Sequence, residues 1–248
     1  MPNRIYRIFQ YGNPSVGDEF LLDRENTHLV TKVYRLSAGD SFILLNGNGL
    51  ISSAKLVGVK SKLVNALIFE KEEKKPSSPY LTLLQSLPKG EKSKWIVQKA
   101  VEWGVYRILF FEGRYSVARA KAQDKDSQIE KWRHVATEAL RQSGNPFLPQ
   151  MINVLPFHHA VELSQQSDIC LMFDEKGEKY LMAQEFIQKK PTSITVGIGP
   201  EGGWSDEERD YLFQHHFIGV RVGPYILRTE TASIGALAIL RSFYPPKG

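Results

Sequence analysis

The chain has 248 residues, 42% of them hydrophobic and 24% charged, enough for one large or two modest globular domains, which excludes a wholly disordered polypeptide. No apolar run approaches the ~20 residues of a membrane-crossing helix, and Met1-Pro2-Asn3-Arg4 leads into a strand pattern with no secretory hydrophobic region, so the expected compartment is the cytoplasm. The net charge of +5 suits a polyanionic partner without requiring one, and the single cysteine, Cys170, excludes an internal disulfide.

From Arg4 to about Phe69 the chain reads as short strands split by turns: Ile5–Phe9, Glu19–Leu22, Ser41–Leu45, Ile51–Val57 and Leu63–Phe69. Asn46-Gly47-Asn48-Gly49 is a hairpin turn, because Asn and Gly tolerate positive φ. One helix is expected from Asn26 to Arg35, capped by Asn26 or Thr27. The whole reads as a small β-barrel domain over residues 1–72. Glu70 to Pro79 is charged, carries prolines and lacks apolar residues, which marks a linker.

The second domain, 73–248, changes period. Leu81–Gln85 reads as a strand. Gly90–Gly104 reads as an amphipathic helix with Trp95, Ile96, Ala100 and Trp103 toward the core, and Ile108–Phe111 as a strand parallel to the first. A long helix is expected over Asp126–Gln142, then helices near Phe157–Gln165 and Leu181–Gln188 with the strand Asp168–Phe173 between them. Cys170 in that apolar strand reads as a small buried hydrophobe. His158-His159 and His215-His216 are adjacent pairs without the i, i+4 spacing that aims two imidazoles at one ion, so no metal site is expected.

Two glycine-bearing turns follow, Ile194 to Gly203 and Val220 to Ala232. Each starts as a β-branched run, meets a Gly-Pro step that cannot continue a ladder, and opens into a helical pattern. In an α/β sheet, ligands collect outside the carboxyl ends of strands, which makes these loops the expected pocket. The helix after the first turn begins with a capping box, Ser205 and Glu208, and carries Asp206 and Glu207 in the same turn. That charge suits a neutral or cationic small molecule better than a phosphate. The last helix, Thr229–Phe243, is apolar nearly all round, so burial on most sides is expected, part of it in this chain's core or against a second subunit.

The strings GIGPEGGWSDEE and VGPYILRTETA resemble the two signature motifs of the RsmE-type methyltransferases of the SPOUT superfamily. The likeness extends over nearly the whole chain. His28 to Asp40 is similar to the family's H-x-L-x-x-V-L-R-L-x-x-G-D, and Lys89 to Val105 to its K-G-[DE]-K…[IV]-x-Q-K-x-x-E-L-G-V. The resemblance implies an α/β C-terminal domain with a trefoil knot, a smaller N-terminal PUA-like β-barrel, S-adenosylmethionine as cofactor, and methylation of N3 of a uridine in 16S small-subunit ribosomal RNA. It also implies a homodimer, with small-subunit ribosomal RNA in an assembled or assembling 30S particle as partner. The cofactor walls implied are Leu171, Met172 and Phe173; Ile198, Gly199, Pro200, Glu201, Gly202 and Gly203; and Val222, Gly223, Ile226 and Leu227 with Thr231 and Ala232. Candidate RNA contacts are Arg4, Arg7, His28, Lys32, Arg35, Lys89, Lys92, Gln142 and Asn145, each with a solvated surface residue as the competing account. The chain departs from the family at Arg141, Asn145 and Tyr225.

Uracil N3 is a poor nucleophile until it loses its proton, and a cation beside O2 or O4 would stabilise the anion. Arg228 is the candidate for that role, against a loop-bracing salt bridge to Glu201 or Glu230. Glu230 is a candidate base, alongside water or an RNA phosphate. Two other readings stay open on the sequence: a SPOUT enzyme with another target position, and a non-catalytic RNA-binding assembly factor.

Overall fold

The computed structural model describes residues 5–119, 125–177, 179–180 and 190–245. The chain divides into two compact units. The first is Met1–Pro76 with Thr137–Leu148, and the second is Ser77–Ala136 with Pro149–Gly248. The expected boundary at 72/73 lies close to the first break at 76/77, and Thr137–Leu148 groups with the N-terminal unit as well.

In the first unit, β1 (Arg7–Phe9), β2 (Glu19–Leu21), β3 (Ser41–Leu45), β4 (Leu50–Lys60) and β5 (Leu63–Glu73) form one sheet in the order β1-β3-β4-β5-β2. The two edges are bridged by Gln10, whose side-chain nitrogen donates to the Leu21 carbonyl (3.0 Å) and whose oxygen accepts from the Asp23 N–H (2.8 Å), which curls the sheet toward closure. Ile8, Leu22, Val30, Phe42, Leu44, Leu56, Val64 and Ile68 fill the interior. The 46–49 hairpin forms as expected: Gly47 and Gly49 have φ of 80° and 99°, and Asn46 Oδ1 accepts from the N–H groups of Asn48 and Leu50.

Two readings are corrected here. The helix expected over 26–35 is a short α1 (Arg24–His28) continued by a π-helical turn, Leu29–Val33. It is capped by Asp23, whose carboxylate accepts from the Asn26 N–H at 2.7 Å, and it starts earlier because Asn26 is itself buried, donating to the Phe9 carbonyl. The linker is shorter than expected, since Glu70–Glu73 pair with Leu50–Ser53 and extend β5.

In the second unit, β6 (Tyr80–Ser86), β7 (Arg107–Glu112), β8 (Gln150–Met151), β9 (Leu155–Pro156), β10 (Ile169–Phe173), β11 (Lys179–Tyr180), β12 (Ser193–Ile198) and β13 (Phe217–Arg221) make a parallel sheet, ordered β11-β13-β10-β12-β6-β7-β8 with β9 on β7. Its helices are α2 (Lys92–Glu102), α3 (Lys125–Ser143, whose last residues join the first unit), α4 (Phe157–Ser164), α5 (Asp206–Gln214) and α6 (Thr229–Phe243). The helix expected near 181–188 lies outside the described residues.

β10 is buried along its whole length, as a central parallel strand must be. Its Cys170 and Met172 pack with Leu84, Phe111, Phe157, Trp204 and Phe217. In α2 the buried face is Ser93, Ile96, Val97, Ala100 and Val101. Trp95 and Trp103, expected in the core, are 44% and 36% exposed, since they fall beside rather than on that stripe. Helix α6 buries Thr229, Glu230, Ser233, Ala236, Leu237, Leu240 and Arg241, leaving Ile234, Ala238 and Ile239 only half-buried, so burial is one-sided rather than all-round. Arg241 fastens α6 to the end of α2 by donating to the carbonyls of Trp103 (2.9 Å), Gly104 (2.6 Å) and Pro79 (3.2 Å). Burial pulls its pKa down to about 10.

Candidate active site

The carboxyl ends of β10, β12 and β13 open on a cavity of about 460 Å³. Its walls run from Phe173 to Glu175, from Ile198 to Trp204, and from Val220 to Thr229, with Ala232. The sequence builds the middle wall in steps. Gly199 lies tight against Trp204, whose indole would stand 3.0 Å from an added Cβ and would have to give way. Gly203 takes φ +78°, and Ser205 then starts α5 through the expected capping box. Trp204 is buried, stacks parallel to Phe111 and donates its indole N–H to the Phe173 carbonyl at 2.7 Å, tying this loop to the end of β10. Glu208 also accepts from the Arg114 N–H at 2.7 Å, so the cap braces the loop after β7 as well.

The start of α6 is fixed from below by Gln85 at the end of β6. Its amide nitrogen donates to the Thr229 hydroxyl (3.0 Å), which donates onward to the Gly199 carbonyl (3.0 Å); its oxygen lies 2.5 Å from the Ser233 hydroxyl. All three side chains are buried, so this relay sets the spacing between the two glycine-bearing loops. Lys92 adds a clamp above it, lying 3.2 Å from Glu201 and 3.3 Å from Glu230. Burial works against its charge, but these two carboxylates outweigh it and hold its pKa above the usual lysine value.

Acids crowd one side of the cavity. Asp174 is buried against Arg209, which also holds Asp206 at 2.9 Å. Burial opposes ionisation of Asp174, yet the guanidinium prevails and its pKa is lowered. Glu175, Glu201, Asp206 and Glu207 are exposed around the same loops. Asp174 and Asp206 are paired with Arg209 and Glu201 with Lys92, so Glu175 is the lining acid that offers its charge to a cationic group of a ligand.

Of the residues implied for the cofactor, Phe173, Ile198 through Gly203, Val222, Gly223, Ile226, Leu227 and Ala232 line the cavity. Leu171 and Met172 do not, since both lie inside β10 in the sheet core, and Thr231 points to solvent from the first turn of α6. Arg228 is exposed on the cavity edge as the residue capping α6, with no ion pair or hydrogen bond from its side chain among the described residues. The bracing cation is Lys92 instead: Glu230 is buried in that ion pair and lies outside the cavity wall, and Lys92 is held between Glu230 and Glu201.

The other candidate RNA contacts fall in both units. Lys89, in the second, is exposed; in the first, His28, Lys32, Arg35 and Gln142 are exposed, while Arg7 packs against Gly144. Asn145 uses its side-chain oxygen to accept from the Phe147 N–H at 3.0 Å, so that oxygen serves the turn. Arg4 lies outside the described residues. Cys170 is buried, and burial raises its thiol pKa to about 11, in keeping with an inert packing role. Sequence reasoning did not single out Trp204, Gln85, Asp174 with Arg209, or Arg221 at this site, and no local motif marks them.

Comparison with known proteins gives a consistent result. The family model for an RNA methyltransferase domain matches residues 75–241. The protein named ribosomal RNA small subunit methyltransferase E from Buchnera aphidicola (subsp. Acyrthosiphon pisum) is 30% identical over 97% of this chain and 94% of its own length, and its namesake from Bacillus subtilis is 29% identical over 89% of each. Among solved structures, a methyltransferase from Legionella pneumophila in complex with its bound cofactor S-adenosylmethionine superposes with a TM-score of 0.86 at 28% identity, covering 96% of this chain and 98% of that one. The ribosomal RNA small subunit methyltransferase E of Neisseria gonorrhoeae, bound to S-adenosylmethionine, superposes with a TM-score of 0.85 at 25% identity and the same coverage. A model match over most of the chain, and full-length relatives that share one name, place this chain in the RNA methyltransferase family, among the ribosomal RNA small subunit methyltransferases E.

Proposed function

We propose that this chain transfers the methyl group of S-adenosylmethionine to N3 of a uridine in small-subunit ribosomal RNA. The observation that carries the reading is the cavity between the two glycine-bearing loops, in a fold whose solved relatives hold S-adenosylmethionine. The residues present fit that cofactor. The volume of about 460 Å³ is that of a small-molecule site. An added Cβ at Gly223 would have no protein atom within 4 Å, so the backbone is open to a ligand there, and the acidic side suits a sulfonium and an ammonium.

When bound, the cofactor supplies a methyl group activated on a sulfonium. The chain's own residues position and polarise. The relay Gln85–Thr229–Gly199 and the Lys92 clamp hold the two loops at fixed separation, so that nucleophile and methyl meet in line. Arg228 presents an uncommitted guanidinium at the cavity edge, where it stabilises negative charge on uracil O2 or O4 as N3 loses its proton. Water or an RNA phosphate accepts that proton, since Glu230 is engaged by Lys92.

In this reading His28, Lys32 and Arg35, exposed in the β-rich unit, are RNA contacts, as is Lys89 within the second unit, and the enzyme works in the cytoplasm on an assembled or assembling 30S particle. None of the helices among the described residues is long and apolar enough to cross a membrane. Homodimerisation is part of the same reading; what supports it is the half-buried Ile234, Ala238 and Ile239 face of α6, together with the exposed Tyr225 and Ile226. Arg228→Ala tests the mechanism: transfer is abolished while affinity for S-adenosylmethionine stays within about tenfold, ~1.4 kcal/mol. Unchanged turnover would remove Arg228 from the chemistry.

A further inference from the structure

β13 ends on a cation that the sequence reading passed over. Arg221 lies in the cavity wall, in register with Tyr180 of β11, and its guanidinium carbon sits 4.9 Å from the centre of the Tyr180 ring. Among the described residues its side chain makes no ion pair and its Nε no hydrogen bond. The neighbouring acid does not neutralise it: Asp174, whose backbone N–H donates to the Val220 carbonyl, commits its carboxylate to Arg209.

We infer that Arg221 is the anion subsite of this cavity and takes the α-carboxylate at the amino-acid end of the cofactor. The inference rests on reading the cavity as the S-adenosylmethionine site. A guanidinium matches a carboxylate in shape and holds its charge, and Tyr180 fixes its plane from one side. An RNA phosphate is the rival anion. The carboxylate of Glu175 on the same walls disfavours it, whereas a zwitterion satisfies both signs, its carboxylate on Arg221 and its ammonium toward Glu175.

Calorimetric titration of the wild type and Arg221→Gln with S-adenosylmethionine and with its decarboxylated form tests this. Arg221→Gln weakens S-adenosylmethionine by about tenfold or more, the scale of one hydrogen bond to a charged group, and leaves the decarboxylated form within about twofold. Arg221→Lys, which keeps the charge, recovers part of the loss and serves as the second variant if Arg221→Gln melts early. Parallel weakening of both ligands would reduce Arg221 to a prop for β11, and no weakening of either would assign the anion elsewhere; both results overturn the inference and leave the cofactor site standing. A wild type that binds neither ligand overturns the cavity reading, and the inference with it.

Discussion

Lys92→Met separates two roles that the sequence could not tell apart. Lys92 lies 3.2 Å from Glu201 on the first loop and 3.3 Å from Glu230 on α6. At an effective dielectric near 20, each pair has a gross attraction of ~5 kcal/mol, most of which solvent and desolvation cancel. The Lys92 and Glu201 side chains keep 35% and 27% exposure, so that bridge is set at ~0.5 kcal/mol. Glu230 keeps only 12%, and losing its cation strands a mostly buried carboxylate beside a second one. Breaking a fully buried pair costs ~3–5 kcal/mol, which puts this partly solvated one at ~1.5 kcal/mol. The sum, ~2 kcal/mol, is a ~30-fold loss of cofactor affinity if loop alignment is what binding requires. S-adenosylhomocysteine is the probe of choice, because it lacks the sulfonium charge and so reports geometry rather than the removed cation. Its Kd, measured by calorimetry, rises about 30-fold in Lys92→Met, and Glu230→Gln removes most of the coupling in a double-mutant cycle. An unchanged Kd, with weaker RNA binding and a salt slope reduced by about one, would refute the clamp and restore Lys92 as a phosphate contact.

Two glycines predict opposite phenotypes. An added Cβ at Gly223 meets no protein atom within 4 Å, so Gly223→Ala leaves Tm unchanged in a thermal melt and weakens S-adenosylmethionine by roughly tenfold, or ~1.4 kcal/mol. At Gly202 the Cβ would lie 2.8 Å from that of Tyr115, so Gly202→Ala lowers Tm as well; equal melts for both would contradict the loop geometry. The Asp174–Arg209 pair sets an acid limit. Because the folded-state pKa of Asp174 is lowered, its contribution is complete above the ordinary value of 3.8 and is lost as pH falls through the folded value. Asp174→Asn therefore costs about 3–5 kcal/mol near neutral pH and flattens the acid limb of urea stability curves; a parallel acid limb in the variant would dissociate this pair from acid unfolding.

The glycine-bearing loops were legible because their signals are local. Gly-Pro steps end ladders, and Ser205 with Glu208 announces a cap that forms as expected. Strand runs were legible for the same reason, down to the fully buried β10. What the sequence hid is what distance joins. Asp174 and Arg209 are 35 positions apart, Gln85 and Thr229 are 144 apart, and no periodicity marks either contact. Trp95 and Trp103 misled because size suggests burial, while the stripe that packs is made of Ile96, Val97, Ala100 and Val101. Leu171 and Met172 misled in another way: they precede the cavity on a strand whose interior faces are both covered, so only the strand's last residue, Phe173, reaches the ligand space. Lys92 looked like a wet lysine on a charged helix start, and only the fold brings Glu201 and Glu230 to it.

The central claim is tested most directly by the modified nucleoside itself. Small subunits from a strain lacking this gene, incubated with the purified chain and S-adenosylmethionine carrying a labelled methyl group, are digested and resolved by mass spectrometry. The account predicts label in 3-methyluridine, lost with Arg228→Ala; label on a ribose or another base, or none at all, would contradict it.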